Sequence, residues 1–315
     1  MRVGVVVVNW NGFPDTAACL ASLAASTPGP ARVVVVDNGS TDGSLEALRA
    51  LAHDPSVSVI AAGSNRGFAG GNNLGLAELA SDPTITHFLL LNNDATVHPE
   101  FFRQIALAIA AAPGASVVGP TIYVTGQPGA VWYAGGHFVP WRALVVHDTA
   151  VPHSSAPIGT EFVTGCAMLI SRQAWGRLGP LPEAYFIYLE DAEYSWRARA
   201  AGLRVLYAPG AVVYHAVGTA MRRSYTSPWV ERLKAYNRAL FVRRNFSGRE
   251  RLAALAYLGV TKPGRALVEL ARGRPAVGWA VLRGTAAGLL SNDGQLEVRQ
   301  PPPVQDAQHR VVVDE

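Results

Sequence analysis

The chain has 315 residues, 49% of them hydrophobic and only 16% charged, enough apolar material for one large α/β domain or two modest ones; this excludes a disordered chain and a nucleic-acid-binding tail. The formal charge of +4 and pI near 9.2 are mild, but basic residues gather between positions 222 and 283, so an anionic partner is expected there. Cys19 and Cys166 stand far apart in apolar surroundings without metal-type spacing, which fits packed thiols in a reducing cytoplasm.

Taken in order, residues 3–8 are a β-branched run too short for a signal segment and read as a first buried strand. A helix over 15–25 follows, then a strand over 32–36 that ends in Asp37-Asn38-Gly39-Ser40-Thr41-Asp42. A helix over 45–51 and a strand over 57–61 lead to a Gly-rich loop, residues 65–75, carrying Arg66, with a helix to Ala80. The fourth strand, Phe88-Leu89-Leu90-Leu91, stops at Asn92-Asn93-Asp94. Four apolar strands ending in polar loops predict a parallel, doubly wound sheet with its ligand site at the carboxyl edge. There Asp94 offers an oxygen ligand for a hard divalent cation. Asp37 is either a helix cap or a group that holds a base or ribose. No G-x-G-x-x-G follows the first strand and no P-loop motif occurs, which argues against a nicotinamide enzyme and a P-loop NTPase.

A helix over 100–112 and a strand over 116–119 come next. Residues 124–160 lack a period and are expected to form loop and short strands over the cleft, where Trp132, Tyr133, His137 and Trp141 either meet a sugar or plug the core. A strand over 161–171 contains Gly165. In Tyr185-Phe186-Ile187-Tyr188-Leu189-Glu190-Asp191, an aromatic approach delivers two adjacent acids into the first turn of a helix, where the dipole favours their ionised form. Strands over 203–207 and 211–214 end at His215, either a packed imidazole or a ligand. From Trp229 the pattern is helical, with Arg232, Lys234, Arg238, Arg243 and Arg244 interleaved with apolar residues, either a basic amphipathic face suited to an anionic leaflet or a lipid diphosphate, or a solvated face of helices packed on the catalytic domain. Residues 301–315 read as an unordered tail. No stretch supplies the roughly 20 uninterrupted apolar residues of a membrane span.

In combination, Val6-Val7-Val8-Asn9-Trp10-Asn11-Gly12, Val35-Val36-Asp37-Asn38-Gly39-Ser40-Thr41-Asp42, Asn65-Arg66-Gly67-Phe68-Ala69-Gly70-Gly71-Asn72-Asn73 and Leu91-Asn92-Asn93-Asp94 resemble the GT-A glycosyltransferases of family 2, especially the bacterial rhamnosyltransferase-like branch. The resemblance covers about residues 1–245. It implies a Rossmann-like α/β fold, with a mostly parallel central sheet flanked by helices. A catalytic domain over 1–225 would divide into a nucleotide-binding half (1–123) and a sugar and acceptor half (124–225), followed by a basic helical extension over 226–300. Asn9, Asn11, Asp37, Asn38 and Asn93 would surround the nucleotide, with Arg66, Gly70 and Asn72 near it or its diphosphate. Asp94 matches the last member of the D-x-D motif and would bind Mg²⁺ or Mn²⁺, with His215 completing the metal site; Asn92 stands where the first Asp is usual. Gly165 and Glu190, with Trp132, would face the donor sugar and acceptor, and Asp191 would be the general base. The implied activity is metal-dependent, inverting transfer of a sugar, rhamnose-like, from a dTDP or UDP sugar to a hydroxyl of a glycan or lipid-linked acceptor in cell-surface polysaccharide synthesis. The implied location is the cytoplasm, with peripheral contact at the inner face of the membrane. The alternatives are a nucleotidyltransferase of similar sheet topology and a non-catalytic sugar- or nucleotide-binding relative.

Overall fold

The computed structural model describes residues 1–51, 54–216 and 227–291; the predicted tail lies outside them. Strands β1 (Val3–Asn9), β2 (Arg32–Asp37), β3 (Val57–Ala61) and β4 (His87–Asn92) are parallel neighbours in the order β3-β2-β1-β4. Successive valines point to opposite faces, so both sides of the sheet are cored. Val5, Val7 and Val35 join Cys19 and Leu23 on one side, and Val6, Val34 and Val36 join Leu76 and Leu79 on the other. Each fully buried valine contributes about 1.5–3 kcal/mol relative to an exposed one. Register then levels the strand ends: Asn9 pairs with Asp37, and Val8 with Asn92.

Beyond β4 the sheet continues with β11 (Ala167–Ser171), β6 (Ala115–Val124), β12 (Arg204–His215) and the edge pair β10 (Ile158–Gly159). Only β11 and the short edge pieces run against the parallel majority. Tertiary pairing overrides the sequence punctuation here. The strand expected to stop at Gly119 runs through Pro120 to Val124, and the two strands expected at 203–214 are one, β12, with a bulge between Ala208 and Val212. The Thr121 side chain spans that bulge, bonding the Tyr207 hydroxyl at 2.6 Å and donating to the Pro209 carbonyl at 2.9 Å. Conversely, the strand expected over 161–171 begins only at Ala167. Between β6 and β10 lie β7 (Val131–Tyr133), β8 (Gly136–Val139) and β9 (Leu144–His147), the last two forming their own hairpin.

Helices α1 (Phe13–Ala24), α2 (Ser44–Leu51), α3 (Gly67–Ala80), α4 (Phe101–Ala111), α5 (Arg172–Leu178) and α6 (Glu190–Ala200) flank the sheet. The C-terminal helices are α7 (Pro228–Asn245), α8 (Gly248–Ala271) and α9 (Pro275–Leu290). The basic amphipathic face expected from Trp229 onward is not an open one: Val230, Leu233, Tyr236, Leu240 and Phe241 of α7 are buried. Two of its cations are also engaged. Arg244 reaches the Glu193 carboxylate at 2.8 Å, which also accepts from the Tyr185 hydroxyl at 2.7 Å and the Asn245 amide at 3.1 Å. Arg238 donates to the Ala143 carbonyl at 2.9 Å. A buried carboxylate needs such a full set of donors, and this one ties α6, α7 and the aromatic approach together. The helical extension is thereby packed into the body of the fold.

Candidate active site

The levelled strand ends build one edge of the site. Asn9 is fully buried, its amide donating to Asp37 Oδ2 at 3.0 Å and to the Ser40 hydroxyl at 3.1 Å while its carbonyl accepts from Thr16 at 2.7 Å. Asp37 Oδ1 accepts the Ser40 N–H at 3.0 Å. Asn9 therefore holds Asp37 in place rather than facing solvent. Asn11 is exposed, with φ of 50° and its carbonyl accepting the Thr41 N–H at 2.8 Å. Asn93 donates to the Thr16 hydroxyl at 3.2 Å. Thr16, a residue that local sequence reading passes over as one more polar position in a helix, is the hub between the two Asn side chains.

Asn38 clasps the segment before α3. Its amide donates to the Gly67 carbonyl at 3.0 Å, and its carbonyl accepts the Arg66 N–H at 3.0 Å. The Gly-rich stretch itself is a correction. It is not an open loop but the first half of α3, with Gly71 against Val8 and Gly75 against Val6, where small residues let helix and sheet approach. Gly70 is buried, and Asn72 is buried with its amide turned back to the Phe68 carbonyl at 2.9 Å, so both belong to the helix interior. The leading N–H groups are already used: Gly67 donates to Asn65 Oδ1 at 2.8 Å and Phe68 to the Phe186 carbonyl at 2.7 Å. Gly67 has φ of 71°, and a side chain there would collide with that carbonyl. Arg66 alone of this group remains exposed.

Asp94 and His215 meet because β5 (Ala95–Val97) pairs antiparallel with β12, placing Ala95 opposite His215. Asp94 Oδ1 lies 3.1 Å from His215 Nε2, and the Asn92 amide lies 3.5 Å from the same nitrogen. Burial works against a charged His215 ring, but Cys166 and the Asp94 carboxylate outweigh it and lift its pKa to about 10. The Cys166 thiol is itself pushed up by burial, so Asp94 is the anion that holds the imidazolium near neutral pH. A divalent cation would displace the ring proton of His215, and Asp94 Oδ1 and His215 Nε2 stand close enough to hold one ion between them. The set of carboxylate oxygen and imidazole suits Mn²⁺ better than Mg²⁺. No group of three or more His, Cys, Asp or Glu side chains converges among the described residues, so the remaining positions would fall to donor and solvent oxygens. The rest of the expected His-x-x-Gly segment, from Val217, lies outside the described residues.

Asp191 stands on the other side of the turn at 164–166. Its Oδ2 accepts the Gly165 N–H at 2.8 Å, and its Oδ1 accepts the Ala192 N–H at 2.8 Å. The next residue of that turn, Cys166, accepts the Asn92 N–H at 2.9 Å through its carbonyl. One turn thus joins the end of β4 to the start of α6. A Cβ on Gly165 would sit 3.0 Å from the Phe68 ring, which would have to give way, and at ordinary contact, 3.4 Å, from the Asp191 Cβ. Burial raises both carboxyls of the pair. Glu190 goes up further because Asp191 adds its charge, whereas Asp191 is drawn back by its two N–H donors. Glu190 Oε2 is buried and has no hydrogen-bond partner among the described residues. Of the two, Glu190 is shifted further toward its protonated form.

Trp132 lies between two imidazoles, its ring centroid 4.6 Å from His147 and 4.7 Å from His215. His147, from β9, sits close enough to Asp191 for their charges to couple; burial keeps the ring below its ordinary pKa and so neutral. Sequence reading missed it because residues 124–160 have no period, and only the β8–β9 hairpin brings it to the acid pair.

Asn237, in a segment the resemblance sets near the acceptor, is fully buried on α7, and its amide donates to the carbonyls of Ile187 and Tyr188 at 2.7 and 2.9 Å. The next two φ values, 75° at Tyr188 and 72° at Leu189, are left-handed, a strained pair directly before the acids. Asn237→Ala is expected to lower stability by about 1–3 kcal/mol of lost hydrogen bonding and turnover by about tenfold to a hundredfold, with donor affinity unchanged. A calorimetric scan, donor titration and turnover assay check this, and intact turnover would remove Asn237 from the positioning of the acids.

A family model described as Glycosyl transferase family 2 matches residues 4–178. The N-acetylglucosaminyl-diphospho-decaprenol L-rhamnosyltransferase of Mycobacterium tuberculosis is 30% identical over 234 residues, which is 67% of this chain and 75% of that protein. Among solved structures, GalNAc-T7 with UDP, GalNAc and Mn²⁺ aligns with a TM-score of 0.59 at 17% identity, covering 87% of this chain and 59% of that one. The mannosyltransferase PcManGT from Pyrobaculum calidifontis, in complex with GDP-Man and Mn²⁺, aligns with a TM-score of 0.55 at 18% identity, covering 92% and 87% of the two chains. At these identities the structural likeness carries the GT-A fold alone.

Proposed function

The chain belongs to glycosyl transferase family 2, and on that premise we propose that it transfers a rhamnose-like hexose from a nucleotide-diphosphate sugar to a hydroxyl of a lipid-linked or glycan acceptor, with inversion. The observation that carries this reading is the turn at 164–166, which holds Asp191 by a 2.8 Å N–H bond on one side and the end of β4, just before Asp94, on the other. Asp191 takes the proton of the acceptor hydroxyl as that oxygen attacks the anomeric carbon, while the carbon–diphosphate bond breaks on the opposite face. One displacement with one base inverts the centre, and no covalent nucleophile is needed. Glu190, holding its proton, donates a hydrogen bond to a sugar hydroxyl. Gly165 holds the base through its N–H at the donor-sugar side of the turn, and Trp132 supplies a flat apolar wall. Asp37, positioned by Asn9, accepts from the base or ribose, flanked by Asn11, Asn38 and Asn93, and Arg66 faces the diphosphate. A divalent cation held by Asp94 and His215 would, when bound, offset the negative charge of the departing nucleotide.

The rhamnose-like donor and the lipid-linked acceptor draw support from the name of the mycobacterial relative, and the nucleotide sugar and cation from the UDP, GDP-Man and Mn²⁺ of the structural neighbours. A dTDP or UDP sugar is the expected donor. Such an acceptor places the enzyme in the cytoplasm against the anionic inner leaflet, in cell-surface polysaccharide synthesis. The test is a panel of dTDP and UDP sugars with Mn²⁺, scored for nucleoside diphosphate release. Diphosphate release from a nucleoside triphosphate would instead favour a nucleotidyltransferase, and neither release would favour a binding protein.

The raised pKa of Asp191 makes a second test. The base must be ionised, so kcat/KM is expected to fall with acidification at a pH above the ordinary aspartate range of about 4. A rate that stays flat down to that range would show that some other group takes the proton.

A further inference from the structure

We propose that α8 seats the protein on the surface of an anionic bilayer, apolar stripe down. Leu252, Ala256, Val260, Pro263, Leu267 and Leu270 recur at steps of four, four, three, four and three residues, which places them on one face of the helix. All six are exposed, with Leu252 at 69%, Val260 at 75% and Leu267 at 67%. Ala254, Leu258 and Ala266 on the other side are buried. The stripe runs about 27 Å along the 24-residue helix. A single exposed leucine is ordinary, but an unbroken stripe of that length marks a contact surface.

Charge identifies the occupant. From residue 248 to 290 there are seven Arg and Lys against two Glu. One of those acids, Glu269, is buried and already shared by Arg272 at 3.6 Å and Arg274 at 2.8 Å. A second copy packed on this face would press like charges together, whereas lipid phosphates neutralise them. No helix among the described residues is long and apolar enough to cross a membrane, so α8 lies flat. On the neighbouring α9, Trp279 is 63% exposed with the Arg283 guanidinium 5.9 Å from its ring centroid, an aromatic body with a polar companion suited to the headgroup level. This placement extends the lipid-linked acceptor reading but is drawn from the helix itself, independently of the donor chemistry.

The experiment is co-sedimentation of the full chain with vesicles of phosphatidylcholine, alone or mixed with phosphatidylglycerol. Binding is expected to be at least about tenfold tighter to the anionic vesicles and to weaken with salt. The triple variant Leu252→Glu, Val260→Glu, Leu267→Glu is expected to lose at least about tenfold of that affinity, with its thermal midpoint and its release of nucleoside diphosphate from the donor unchanged. If the Glu variant does not fold, the milder Ser triple at the same positions is expected to lose several-fold. Three results overturn the proposal: no preference for anionic vesicles, a folded variant that sediments like the wild type, or a wild-type dimer that the same substitutions dissociate. The last would give the face to a second copy. Because donor turnover is read separately, failure here leaves the transferase reading standing, and failure of that reading leaves this one.

Discussion

Asp191→Asn is expected to lower turnover by about two to four powers of ten while donor affinity stays within about twofold. The substitution keeps the volume and one acceptor oxygen, so the bond from the Gly165 N–H, 2.8 Å in the wild type, can persist and the turn at 164–166 keeps its path. What is lost is the ability to accept a proton. Burial makes this base better matched to its task than a free aspartate, because a raised pKa narrows the gap to the hydroxyl it must deprotonate. Neighbouring groups replace it poorly: burial, the larger cause of the raised Glu190 pKa, persists in the variant, and burial makes the His147 ring a weaker base than an ordinary imidazole. The amide also removes the negative charge that raises Glu190, so Glu190 should ionise more readily in the variant. Turnover in single-turnover mode, set beside a donor titration, separates the two effects. Wild-type turnover in a folded Asp191→Asn protein would end the assignment of the base.

Asp94→Ala is expected to abolish the difference in donor affinity between Mn²⁺ and chelator, a loss of roughly 10–100-fold or more. Calorimetric titration of the donor in both conditions reads this directly, without any need for turnover. The reason lies in the pairing of Asp94 Oδ1 with His215 Nε2 at 3.1 Å: removing the carboxylate leaves one neutral donor where two stood, and a single imidazole does not hold a hard cation against water. The same change withdraws the Asp94 carboxylate, which together with Cys166 raises His215, so the titration of the ring should move down. That shift, followed by NMR in the metal-free protein, checks the pairing independently of the cation. Equal donor affinities with and without Mn²⁺ in the wild type would remove both residues from a metal role.

Much of the fold was legible locally. Runs of β-branched residues such as Val33 to Val36 declare buried strands, and the polar ends Asp37 and Asn92 to Asp94 declare where those strands stop, because a doubly buried strand tolerates no such residues until it leaves the core. Motif order was enough to reach the family. Local reading failed where pairing overrode punctuation, at Pro120 and Pro209, and where glycines served helix packing at Gly71 and Gly75 instead of an open loop.

What the chain determined by itself, then, is the parallel half-sheet, the acids at its edge and the adjacent pair at 190 and 191, all of which follow from periodicity over a few residues. The family resemblance already set His215 with Asp94; the tertiary structure alone decided that His147 reaches Asp191, that Trp132 packs on His215, that Asn237 clamps the strained approach, and that α8 rather than α7 turns an apolar face outward. Each of those contacts joins residues about forty or more positions apart, or depends on which helix face its neighbours cover. Such choices are made by strand register and packing, and no short window of sequence encodes them.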